Sequence, residues 1–317
     1  AIAAYQRLLE LQPDDGVTHC NLGMVLRGKG ELDAAIAAYR RSLELRPNNG
    51  DTHFKLGNVL LEKGDLDAAT AAYRRSLELQ PDNGDTHYKL GNVLLEKGDL
   101  DAATAAYRRS LELQPDNGDT HYNLGLVLHD KGDLDAAIAA YRRSLELRPD
   151  DRDTHHNLGV VLHDKGDWDS AVAAYRRSLE LQPDNGETIY NLGSVLHVQG
   201  DLDAAIVTLR RAVELQPDYG VVHHDLGVAL TDKGNLDDAI ACFRQALDLC
   251  PDNTLTLWNL GLLLEKQGDC AGAEALFRKG MALDPEGQDW AQKVRSMRKK
   301  RQNPKEQQKT SKKAKAS

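Results

Sequence analysis

A row of polar side chains runs through this 317-residue chain at steps of 34: Asn21, Lys55, Lys89, Asn123, Asn157, Asn191, Asp225 and Asn259. A primary amide donates to a peptide carbonyl and accepts from a peptide N–H, so a row of asparagines can hold an extended backbone whatever its side chains. A second row, His129, His163 and His197, has the same step, and His156 lies seven residues before His163. Imidazoles ligate zinc, but the ligand atoms must come within about 2 Å of one ion, and neighbouring stacked helices lie about 8–10 Å apart. No cysteine or glutamate completes a set, so these histidines are expected to line a solvated surface, with no metal and no other cofactor. The four cysteines, Cys20, Cys242, Cys250 and Cys270, form no CxxC pair. Free thiols in a reducing, cytoplasmic setting are the expectation.

Paired arginines form a third row: Arg40-Arg41, Arg74-Arg75, Arg108-Arg109, Arg142-Arg143, Arg176-Arg177 and Arg210-Arg211. The first of each pair has a glutamate four residues on, as Arg74 has Glu78, which predicts a salt-bridged outer helix face. The chain contains no GxSxG, HExxH, P-loop or GxGxxG motif. Strict periodicity also leaves little room for an asymmetric active site, so no enzymatic activity is expected.

The elements that carry these rows can be read from the prolines. Nine of the ten, from Pro13 to Pro285, stand 34 residues apart. That period marks an array in which each unit stacks on its neighbours. Complete units run from 16–49 to 254–287, and residues 1–15 read as the second half of a truncated unit. In unit 84–117, His87, Leu90, Gly91 and Leu94 make an i, i+3, i+4, i+7 stripe, and Leu100, Ala103, Tyr107, Ser110 and Leu111 make another. Gly98 supplies a left-handed stop between them and Asp99 an N-cap. Pro115 cannot continue a helix interior, and Asp116-Asn117-Gly118 turns into the next unit. Each unit is therefore a helix–turn–helix. Units 50–83 and 84–117 differ only at Phe54 and Tyr88, so they present nearly the same surface twice.

The repeated slots resemble the tetratricopeptide repeat family over residues 1–287: Leu22-Gly23 through Leu260-Gly261, a small residue from Ala35 to Ala273, an aromatic from Tyr39 to Tyr175 and then Phe243 and Phe277, and the closing proline. Small residues suit the crossing because larger ones push helix axes apart. The family usually has tryptophan near the start of the first helix, where this chain has His19, His53, His87, His121, His155 and His223. The resemblance implies an all-α, right-handed superhelical α-solenoid whose first helices line a concave groove. On it the groove candidates are Asn21, Lys55, Asn58, Tyr88, Lys89, Asn92, Tyr122, Asn123, His129, His156, Asn157, His163, Tyr190, Asn191, His197 and Asn259. The amide row is similar to that in the repeat region of O-linked N-acetylglucosamine transferases.

The family's carboxylate clamp for chaperone C-termini would need Lys55, Asn58, Lys89, Asn92 and Asn123. Asp51 and Asp85 precede the two lysines by four residues and are expected to neutralise them. Acidic rows at Asp51, Asp85, Asp119, Asp153 and Glu187, and at Glu62, Glu96, Asp130 and Asp164, point to a neutral or basic extended protein segment as partner. Residues 1–287 carry 29 Lys/Arg against 47 Asp/Glu, net −18, which disfavours nucleic acid at the array. No apolar run is long enough to cross a membrane.

Residues 288–317 reverse the charge, with eleven Lys/Arg and two Asp/Glu. Trp290, Val294 and Met297 predict one capping helix over 288–301, followed by a disordered basic tail at 302–317. Lys300-Arg301 and Lys312-Lys313-Ala314-Lys315 resemble a bipartite nuclear import signal, which would engage an import receptor, or else acidic surfaces. The tail reads as a natural end. The whole reads as a protein-interaction scaffold. The alternative is a substrate-recruiting region of a larger glycosyltransferase-like enzyme.

Overall fold

A computed structural model describes residues 1–302, and every regular element in it is an α-helix. The chain divides into two compact units, Ala1–Lys165 and Gly166 onward. The first holds α1 (Ile2–Leu11), α2 (Gly16–Gly28), α3 (Leu32–Leu45), α4 (Gly50–Glu62), α5 (Leu66–Leu79), α6 (Gly84–Glu96), α7 (Leu100–Leu113), α8 (Gly118–Asp130), α9 (Leu134–Leu147) and α10 (Arg152–Lys165). The second holds α11 (Trp168–Leu181), α12 (Gly186–Gln199), α13 (Leu202–Leu215), α14 (Gly220–Lys233), α15 (Leu236–Leu249), α16 (Thr254–Gln267), α17 (Cys270–Leu283) and α18 (Trp290–Gln302). Each unit is a stack of helix pairs, as the period predicts. The second basic cluster of the import-type motif and the tail from residue 303 lie outside the described residues.

Local chemistry sets the boundaries. Gly98 adopts φ 77° and ends α6, a conformation that L side chains avoid. The Asp99 carboxylate accepts from the Ala102 N–H at 3.1 Å and starts α7. Past Pro115, the Asn117 amide oxygen accepts from the Thr120 N–H at 3.0 Å and starts α8. The same stops and caps recur along the chain.

Packing within a pair explains the Leu-Gly slot. A Cβ on Gly91 would sit 2.6 Å from the buried Tyr107 ring, so only glycine lets α6 and α7 approach this closely. Ser110 donates to the Gly84 carbonyl at 2.9 Å and ties the far ends of the two helices. Gly91→Ala should therefore destabilise the array by about 1–3 kcal/mol, the usual cost of overpacking, read as an earlier thermal transition by circular dichroism.

The histidine that stands in the family's tryptophan slot has a specific partner. His87 Nε2 lies 2.9 Å from the Pro81 carbonyl, and His19, His53, His121, His155 and His223 repeat the contact at 2.9–3.1 Å. A carbonyl only accepts, so Nε2 carries the proton and the imidazole pins the turn between units.

Helix α18 continues the 34-residue register. Trp290, Val294 and Met297 occupy the places of Thr256, Leu260 and Leu263, and all three are buried. The slot of Gly261, where a Cβ would meet Phe277 at 2.5 Å, is taken in α18 by Arg295. No helix comes after α18 among the described residues, so nothing there demands a small residue.

Candidate peptide-binding faces

In the first unit, α2, α4, α6, α8 and α10 place Asn21, Lys55, Lys89, Asn123 and Asn157 on one half-buried row. Adjacent members of this series touch. Asn123 Nδ2 donates to the Asn92 amide oxygen at 3.1 Å and to the Tyr88 hydroxyl at 3.3 Å. Asn157 Nδ2 donates to the Tyr122 hydroxyl at 3.0 Å. The aromatic of one repeat thus holds the amide of the next, 35 residues on.

Asn58 and Asn92 sit one turn further along their helices and accept from the buried Tyr73 and Tyr107 hydroxyls, each at 2.8 Å. Burial, reinforced by Asp153, raises the Tyr122 phenol above its ordinary value and keeps it protonated. These bonds orient the amides. The Oδ1 atoms of Asn123 and Asn157 accept no hydrogen bond among the described residues, leaving an acceptor on each amide for a ligand.

The ring–ladder step also appears in the second unit with other chemistry. The Tyr190 hydroxyl donates to Asp225 at 2.7 Å, and the Lys293 ammonium lies 6.0 Å from the Trp258 ring centre. Asn191 and Asn259 are half-buried on the same helix series. His224 is buried, bonded through Nδ1 to Thr256 at 2.8 Å and packed on Phe243. Burial lowers its pKa and favours the neutral imidazole.

The rims carry inter-repeat pairs at the same 35-residue step. Arg27 pairs with Glu62, His129 with Asp164 at 2.7 Å, and His197 with Asp232 at 2.8 Å. His156 and His163 are half-buried on α10. Asp51, Glu96 and Asp130 form no ion pair among the described residues and remain exposed.

Two expectations need correction. Asp51 and Asp85 do not neutralise Lys55 and Lys89: Asp85 accepts from Gln114 at 3.1 Å, and the Lys89 ammonium lies 5.5 Å from the Tyr88 ring centre. The helix face turns Asp85 toward the following inter-repeat loop, beside Gln114 and Pro115. The salt-bridged outer face is made chiefly by the second arginine of each pair, although Arg210, the first of its pair, reaches Asp238 at 3.0 Å. Arg109 reaches Glu112 at 2.8 Å, three residues on, and Asp82 at 2.7 Å in the previous repeat.

Sequence reasoning also missed the ring-to-amide relay. Its signal was present as an aromatic 35 residues before each amide, Tyr88 before Asn123 and Tyr122 before Asn157. Among the described residues no group of three or more His, Cys, Asp or Glu could hold a metal ion, and no helix is long and apolar enough to cross a membrane. The cysteines are free.

Comparison with solved structures returns helix-repeat proteins. The chain is similar to YrrB, described as a TPR protein with an unusual peptide-binding site, at 26% identity over 63% of this chain and 100% of that one, TM-score 0.55. A MamA structure matches at 30% identity over 52% of this chain and 97% of that one, TM-score 0.50. The C-terminal part of a TPR repeat-containing protein from Cytophaga hutchinsonii gives TM-score 0.63 over 76% of this chain and 99% of that one, at 16% identity. No curated protein matches. Family profiles described as tetratricopeptide repeat or TPR repeat match residues 23–64, 57–98, 88–152, 150–218 and 227–268, so the chain belongs to the tetratricopeptide repeat family.

Proposed function

We propose that this chain is a non-catalytic scaffold that holds an extended, neutral or basic segment of a partner protein along its first-helix faces. The observation that carries the reading is the relay on the first unit. Asn123 and Asn157 are fixed by neighbouring tyrosines through one side of the amide, while the Oδ1 atom stays available to a peptide N–H. Exposed carboxylates flank this row, among them Asp51, Glu96 and Asp130. The likeness to a TPR protein with a peptide-binding site supports the same use.

Charge gives the test. In a peptide array, neutral and lysine-containing extended peptides should be captured in preference to acidic ones. Affinity for the lysine-containing set should fall as salt rises from about 50 to about 500 mM, because exposed charges are screened over about 10 Å at 0.1 M. Preferential capture of acidic C-terminal peptides would overturn the charge assignment.

A further inference from the structure

One buried slot changes character at the end of the second unit. The place of Ile36, Thr70, Thr104, Ile138, Ile206 and Ile240, all buried, is taken by Glu274, whose side chain is 4% exposed. The buried leucine slot that ends with Leu264 is taken in α18 by Arg298, 34 residues later. Three guanidiniums converge on the one carboxylate. Arg278 Nη2 lies 2.7 Å and Arg298 Nε 3.0 Å from Oε1, and Arg301 Nη1 lies 2.7 Å from Oε2. With Gln302, these four residues line an open cavity of about 380 Å³.

This is more charge than the glutamate requires. A single bidentate arginine already supplies two charge-assisted bonds to a carboxylate. Here each guanidinium commits one nitrogen, and the three arginine side chains stay 51–55% exposed. Three positive charges against one negative leave a local +2, with fixed planar forks and unspent N–H donors.

We propose that Arg278, Arg298 and Arg301, held in place by Glu274, form an anion-binding site for a phosphorylated side chain on a protein partner. A phosphate monoester carries about −1.5 to −2 charges at pH 7 and three acceptor oxygens, which matches the local +2. A carboxylate supplies one charge and two oxygens. A nucleic acid strand would have to lie against a body of net −18 over residues 1–287, whereas one phosphoryl group need not. The site lies on α17 and α18 and does not rest on the peptide-binding reading.

The test uses the full chain and a ten-residue Gly/Ala/Ser peptide carrying one phosphoserine, with binding read by fluorescence anisotropy. The phosphopeptide should bind at least tenfold more tightly than its unphosphorylated form and than inorganic phosphate. R278K/R301K keeps both charges and both ion pairs within reach of Glu274 but loses the forks, and should weaken the phosphopeptide at least fivefold at an unchanged melting temperature. On the unaltered protein, arginine side-chain Nε–H resonances should shift on titration with the phosphopeptide, which tests the site without any variant. Equal binding of the two peptides, unmoved arginine resonances, or an affinity for inorganic phosphate equal to that for the phosphopeptide would overturn the proposal. So would a single-stranded RNA 20-mer that binds more tightly than the phosphopeptide.

Discussion

Trp290→Ala should release α18 and cost the end of the second unit about 3–5 kcal/mol, the range for removing a fully buried large aromatic. Trp290 has no exposed surface and packs edge-on to Trp258 with ring centres 5.1 Å apart. It also fills the space over Gly280, where a Cβ would clash with the indole. Each repeat leans on the next, so the loss should loosen α16 and α17 first. Hydrogen exchange should show α16–α18 losing protection while α4–α9 keep theirs. Equal loss along the whole chain would mean that stability is not passed from neighbour to neighbour.

Acid should detach the same helix. Glu265 is partly buried, which alone would raise its pKa, but bonds from Lys293 and Lys300 at 2.7 and 2.6 Å outweigh burial and lower it below its ordinary 4.5. Bonds from Arg301 and Arg298, with the charge of Arg278, lower Glu274 likewise. A carboxyl depressed in the folded state stabilises that state above its unfolded pKa and loses the contribution as pH falls through the folded value. The docking of α18 should therefore hold near neutral pH and fail below the ordinary glutamate range. Tryptophan emission should shift to the red as Trp290 meets water. A protein with E265Q/E274Q should lack that acid step before global unfolding, and an identical step in both proteins would assign it elsewhere.

The fold was legible because each punctuating residue constrains the backbone by itself. Pro115 lacks an N–H, Gly98 takes a positive φ, and Asp99 and Asn117 cap the helices α7 and α8, so the period sufficed to place the elements. The candidate face was half legible. The 34-residue spacing put Asn123 and Asn157 on one row, yet it could not show Tyr88 and Tyr122 reaching them, because that reach depends on the offset between neighbouring helices. Choosing the wrong arginine has a similar cause. Arg108 and Arg109 are adjacent in sequence but about 100° apart around α7, and only the packed neighbour reveals which one faces Asp82. Glu274 stands in the buried slot of Ile36 to Ile240, so its burial was legible, but two of its arginine partners, Arg298 and Arg301, come from the packing of α18.

The central claim, that the amide row grips a partner's backbone, is tested most directly by comparing N123A/N157A with Y88F/Y122F in one binding assay. A neutral extended peptide selected on the array would be titrated against both, and both melting temperatures recorded. Each amide contact is worth roughly 0.5–1.5 kcal/mol, so the paired loss should weaken binding about 5- to 150-fold. Alanine is the better helix former, which offsets the lost tyrosine bonds and should leave the melting temperature of N123A/N157A nearly unchanged. The Tyr→Phe protein keeps the amides but frees their orientation, so its affinity should fall by less. A weakened N123A/N157A complex with an intact fold is the expected result. An unchanged affinity, with melting lowered equally in both proteins, would mean the asparagines only join neighbouring repeats, and would contradict the claim.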